Sequence, residues 1–215
     1  RERQEQRMKE EEQLLYVRRL KAAGIQERHL QDWTFASATD TPSIQMAKRY
    51  TENWKKVKAE NLGLLLWGDV GTGKSFLAAC IANALLEKGV PVLMTNFSKI
   101  LNQMGAMYSD ERYRYIASFN RFSLLIIDDL GIERNTEYAL EQVYAVIDER
   151  YKTGLPLIIT TNLTISQLRN PEDVAHARIY SRVLEMCTPV HVPGHDRRTT
   201  IGKSKQELVK EVLFS

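Results

Sequence analysis

The chain has 215 residues, 43% hydrophobic and 27% charged, with a net charge of +3. That composition suits one large α/β domain with a good core plus an appendage, and the modest charge permits contact with nucleic acid without arguing for it. No apolar run reaches the roughly 20 residues of a membrane helix, no signal peptide precedes the charged start, and Cys80 and Cys187 show neither zinc spacing nor a disulfide framework, which fits a reducing, cytoplasmic compartment.

Taken in order, residues 1–31 begin as a charged helix anchored by Leu14, Leu15, Val17 and Leu20 and stopped by Gly24. It reads as a solvated connection, and the start at Arg1 suggests further chain upstream. Ile25 to Asp40 is polar and irregular, with Trp33 and Phe35. Thr41-Pro42 opens a helix whose stripe runs Ile44, Ala47, Tyr50, Trp54, Val57. Leu64-Leu65-Leu66-Trp67 then reads as a buried parallel strand.

Directly after it, Gly68-Asp69-Val70-Gly71-Thr72-Gly73-Lys74-Ser75 fits G-x-x-x-x-G-K-[ST] at every fixed position. Phe76, Leu77, Cys80, Ile81, Ala84 and Leu85 follow at helical spacing, so the motif lies between a strand and a helix N-terminus. Gly71 and Gly73 permit a backbone whose N–H groups turn inward on an anion, and the helix dipole adds positive charge. Lys74 is placed to reach β- and γ-phosphates, and the Ser75 hydroxyl to ligate Mg²⁺.

Val92 to Thr95 predicts a second strand and Ser98 to Met107 a helix. The stretch from Tyr108 to Arg121 interleaves Arg112, Arg114 and Arg121 with Tyr113, Tyr115 and Phe119. It reads equally as a grip on single-stranded nucleic acid and as a half-buried helix with snorkelling arginines. Ser123 to Ile127 predicts a strand ending in Asp128 and Asp129. Strand ends line the ligand crevice of a parallel sheet, which makes Asp128 a Mg²⁺ ligand and leaves Asp129, pointing the other way, to orient or deprotonate a water. A helix capped by Asn135 or Thr136 leads to a fourth strand, Leu157 to Thr161, with Asn162 at its end within reach of a γ-phosphate or attacking water. Thr164 and Gln167 form a capping box. Asn170-Pro171-Glu172-Asp173 predicts a helix start, with Arg178 and Arg182 on one face. Thr188 to Val192 is a fifth strand, and a basic tail follows.

In order and spacing, the phosphate loop, Asp128-Asp129-Leu130-Gly131, and Arg178-Ile179-Tyr180-Ser181-Arg182-Val183-Leu184 resemble the DnaC/DnaI/IstB family of AAA+ ATPases. The resemblance implies an α/β P-loop fold, a five-stranded parallel sheet flanked by helices, without a full helical lid. It implies that residues 32–215 are the ATPase domain and 1–31 the connection to an amino-terminal domain. It also implies ATP/ADP and Mg²⁺ as cofactors, Gly68 to Phe76 as the nucleotide-contacting segment, Asn162 as sensor 1, and Arg182 as an arginine finger acting on a neighbouring subunit, ahead of Arg178. Arg198 or Arg197 is the sensor 2 candidate. Many AAA+ proteins carry Glu where this chain has Asp129, so the implied hydrolysis is slow. The implied function is loading of the replicative DNA helicase onto single-stranded DNA. An IstB-like transposition ATPase on duplex DNA and, outside AAA+, a P-loop kinase are the alternatives.

Overall fold

The computed structural model describes residues 2–131 and 136–196, together with 209–210 and 212–213. Helix α1 (Glu2–Gly24) stands largely in solvent, leaving Met8, Leu14, Leu15 and Tyr16 exposed. It meets the body near its end, where Lys21 pairs with Glu87 at 2.9 Å. A Cβ at Gly24 would lie 2.0 Å from the Val92 carbonyl oxygen, so only glycine permits this approach. The next residue, Ile25, is fully buried and forms a parallel bridge to Met94.

The segment expected to be irregular is more ordered than its sequence suggests, with α2 (Arg28–Gln31) and a 3₁₀ turn at Phe35–Ser37. The reason is a distant side chain. The buried Asn83 amide donates to the carbonyls of Leu30 (2.8 Å) and Trp33 (2.9 Å), fixing a backbone that local periodicity does not. Thr41 caps α3 (Pro42–Glu52) by accepting the Ile44 N–H. The expected single helix breaks at Asn53, whose amide takes the Arg49 carbonyl, and resumes as α4 (Trp54–Ala59).

The remaining elements alternate as the sequence predicts. They are β1 (Gly63–Trp67), α5 (Lys74–Glu87), β2 (Val92–Asn96), α6 (Phe97–Met104), α7 (Ser109–Ser118), β3 (Leu124–Leu130), α8 (Glu137–Thr153), β4 (Leu157–Thr161), α9 (Ile165–Arg169), α10 (Val174–Met186) and β5 (Cys187–His191). The five strands form one parallel sheet in the order β2-β3-β4-β1-β5. Neighbouring residues face opposite ways, so the apolar run of β1 divides. Leu64 and Leu66 pack with α3 and α5, while Leu65 packs with α6, α8 and α10. Helix α10 starts later than expected. Asn170 instead ends α9, its amide donating to the Ser166 carbonyl, and Asp173 caps α10 by accepting the His176 N–H at 2.9 Å.

At the amino ends of the strands Arg150 is 1% exposed. Its guanidinium donates to the carbonyls of Pro156 (2.8 Å), Phe122 (3.0 Å), Ser123 (3.1 Å) and Phe119 (3.5 Å), tying the entries of β3 and β4 together. Burial pulls its pKa down to about 10, which leaves it charged at neutral pH.

Candidate nucleotide-binding site

The phosphate loop leaves the carboxyl end of β1, which sits where the strand order reverses, the usual place for a ligand crevice. Gly71 (φ +78°) and Gly73 (φ +99°) hold left-handed backbone that other side chains resist. Gly73 supplies no side-chain cap to α5, and a helix N-terminus of this kind favours an anion. Thr72 braces the loop by donating to the Asp69 carbonyl at 3.0 Å. Lys74 is buried, and its ammonium donates to the carbonyls of Gly68 (2.9 Å) and Asp69 (2.7 Å).

Beside the loop lies a cavity of about 370 Å³, lined among others by Val70, Lys74, Ser75, Asp129 and Asn162. The sequence-predicted residues from β1, β3 and β4 therefore do converge. Trp33 and Phe76 form its aromatic side, with ring centroids 5.7 Å apart. Trp33 carried no site signal in the sequence, because the Asn83 clamp that brings it here joins residues distant along the chain. A smaller polar cavity of about 200 Å³ adjoins, lined by Ser75, Asp128, Asp129 and Asn96 among others.

The acidic pair departs from simple alternation. β3 pairs Ile127 with Ile159 and then Leu130 with Thr161, so three steps on β3 match two on β4. The extra residue is a β-bulge. Asp129 takes φ +58°, a left-handed conformation that Asp tolerates better than most residues. The expectation that Asp129 points away from Asp128 is thus corrected: the bulge turns both residues to the same polar cavity. Burial raises the pKa of Asp128; hydrogen bonds from Thr160 and Ser75 oppose that shift, and the Asp129 charge adds to it. The adjoining oxygens of Ser75 and Asp128 are hard donors of the kind Mg²⁺ takes, alongside phosphate oxygens. The residues present therefore fit Mg²⁺ and a nucleotide triphosphate.

Arg182 lies away from this cavity, on α10. Its Nη2 is 2.7 Å from Asp148 Oδ1 on α8, and its guanidinium lies over the rings of Tyr144 and Tyr151. Arg178, one turn earlier, also lies over Tyr144 and is exposed. Arg197 and Arg198 fall outside the described residues. The 108–121 stretch splits in two: Tyr115, Ile116 and Phe119 pack inward, while Tyr108 and Tyr113 stand 82% and 71% exposed.

The sequence model of the family described as "IstB-like ATP binding protein" matches residues 1–205. The chain belongs to that family. Among curated relatives of this IstB-like protein, the replicative helicase loader DnaI of Bacillus subtilis is 28% identical over 162 residues, 70% of this chain and 50% of its own. The replicative helicase loader DnaC of Escherichia coli is 25% identical over 129 residues, 59% of this chain and 51% of its own. The chain thus spans about half the length of these curated relatives. A crystal structure of DnaI superposes with TM-score 0.66 at 23% identity, covering 83% of this chain and 99% of that one. One of the DnaC helicase loader gives 0.59 at 21%, covering 78% and 100%. The IstB-like protein therefore has the AAA+ P-loop fold that its motifs imply, and among the described residues no helical lid follows β5. No helix of the described residues is long and apolar enough to cross a membrane.

Proposed function

We propose that this IstB-like protein is a slow, Mg²⁺-dependent ATPase that loads the replicative DNA helicase onto single-stranded DNA. The observation that carries the chemistry is the meeting of Lys74, Ser75, Asp129 and Asn162 on one cavity beside the glycine-bearing loop. The loading role is supported by the curated relatives DnaI and DnaC, both named as replicative helicase loaders.

In this reading the loop N–H groups and Lys74 hold the β- and γ-phosphates, Lys74 exchanging its carbonyl partners for phosphate oxygens. Ser75 and Asp128 would hold Mg²⁺, which when bound supplies charge to phosphate oxygens. Asp129 orients the attacking water and takes its proton. The carboxylate is one methylene shorter than glutamate, which suits a slow switch. Asn162 hydrogen-bonds the water or the γ-phosphate, Trp33 and Phe76 offer the base an apolar wall, and Arg198 serves as sensor 2. Arg182 leaves Asp148 to reach the nucleotide of a neighbouring subunit. The outward Tyr108, Tyr113 and Arg114 engage single-stranded DNA, and α1 connects the ATPase to a helicase-binding segment.

A second reading, a transposition ATPase on duplex DNA, stays in play because one relative carries the name of an ATP-binding protein in an insertion sequence. The test is capture of the intact protein from a mixture of the host's replicative helicase and transposase, with ATP and with ADP. ATP-sensitive retention of the helicase supports the loader; retention of the transposase alone overturns it in favour of the second reading.

A further inference from the structure

We infer that Thr160 is a positioning residue for the acidic pair, an inference that rests on the ATPase reading above. Thr160 is the fourth residue of β4 and is fully buried. Its hydroxyl has one proton, and that proton goes to Asp128 Oδ1 at 2.6 Å. Its oxygen accepts the backbone N–H of Asp129 at 2.9 Å. One oxygen thus fixes the carboxylate of one acid and the main chain of the next.

The bulge explains why this is needed. The extra residue in β3 takes its backbone out of the regular ladder with β4, and Asp129 adopts φ +58°. A buried N–H without an acceptor is costly, so something must replace the missing carbonyl. Thr160 supplies the acceptor. Thr161 continues the repair: its hydroxyl donates to the Leu130 carbonyl at 2.8 Å and accepts the Leu163 N–H at 3.1 Å. A β-branched residue with a hydroxyl meets two demands at once. It fits the strand, and it carries the hydrogen bonds that the bulge removes. Because the donor is spent on Asp128, the orientation of this carboxylate, which Ser75 hydrogen-bonds as well, is set from β4 rather than by solvent.

The test compares Thr160→Val, which keeps shape and removes both bonds, with Thr160→Ser, which keeps them. In the valine variant kcat should fall about tenfold to a hundredfold, the scale of a small misplacement of a reacting group. KM should change little, and the Mg²⁺ concentration that half-saturates nucleotide fluorescence should rise several-fold. Nucleotide binding in EDTA should stay as in the parent, since the phosphate loop is untouched. Thr160→Ser should restore both quantities. If the valine variant does not give a cooperative melt, the Ser and Ala variants make the same comparison. Parent-like kcat and Mg²⁺ dependence in the valine (or alanine) variant overturns the role, as does a serine variant equally impaired. A parent protein that binds nucleotide but shows neither hydrolysis nor Mg²⁺ dependence removes the ATPase reading itself, and this inference with it.

Discussion

Lys74 and Arg150 are the same kind of object at opposite ends of the sheet. Each is a buried cation, 5% and 1% exposed, that donates to main-chain carbonyls. Arg150 is enclosed by four carbonyls from two strand entries and the turn before β3. Lys74 holds two carbonyls of its own glycine-bearing loop and borders a cavity of about 370 Å³. Burial of charge therefore does not mark function by itself. What differs is whether the partners can be exchanged: carbonyls fixed at the entries of two paired strands cannot withdraw, whereas those on a loop beside open space can yield the ammonium to phosphate oxygens.

Lys74→Ala gives the largest expected effect. Nucleotide turnover should fall by about 10³-fold, the upper range for loss of one preorganised charge on a transition state, while the melting temperature without nucleotide stays put. A parent-like rate would remove Lys74 from the phosphate site. Arg150→Met reverses the pattern. Four buried carbonyls lose their donor, which should cost roughly 3 kcal/mol or more in denaturant unfolding. Protein that remains folded should bind nucleotide normally; a stable but inactive Arg150→Met would make this cation functional after all.

Arg182 sits between the two cases, with its ion pair to Asp148 half-exposed. Its loss should cost less than about 1 kcal/mol of stability, and turnover in the assembled protein should drop about tenfold to a hundredfold, short of the roughly 10³ to 10⁵ of the strongest arginine fingers. Mixing Arg182→Ala with Lys74→Ala should recover part of the activity, since one keeps the cradle and the other the arginine. Absence of recovery despite co-assembly would leave Arg182 to its partners within the same chain, Asp148, Tyr144 and Tyr151, and Arg178 would be examined next. The smallest effect concerns DNA. Removing Tyr113 and Arg114 together should weaken single-stranded DNA binding about tenfold, by loss of stacking and one phosphate contact, and flatten its salt dependence. Equal affinity in the double variant would return α7 to packing alone.

Much of this was legible from the sequence because the signals were local. A strand, glycines at fixed spacing and a lysine predicted β1, the loop and α5, and the apolar run before Asp128 predicted β3. What stayed hidden depends on partners far along the chain. The bulge at Asp129 arises from register against β4, and two consecutive threonines in a strand look like ordinary β-formers until their hydroxyls meet β3. Trp33 borders the cavity on backbone that Asn83 holds by its carbonyl, with its ring against Phe76. The start of α10 was misplaced because Asn170 and Asp173 are both good capping residues, and the first proved to close the preceding helix. The sensor 2 candidate Arg198 lies beyond what the structure describes.

The position of β1 has a consequence for how the protein comes into being. Leu64 to Trp67 find their sheet partners only at Ile158 to Thr161 and at Thr188 to His191. A nascent chain that has emerged through Ser75 carries every residue of the phosphate loop, yet the strand that aims the loop has neither neighbour. β2 and β3, which pair with each other, have most of their partners sooner. Contacts so distant in sequence make loop closure the slow part of folding. The sheet that aims the phosphate loop is therefore complete only once β5 has been made, and a nucleotide that binds only the assembled site would stabilise chains that carry β5 over shorter ones.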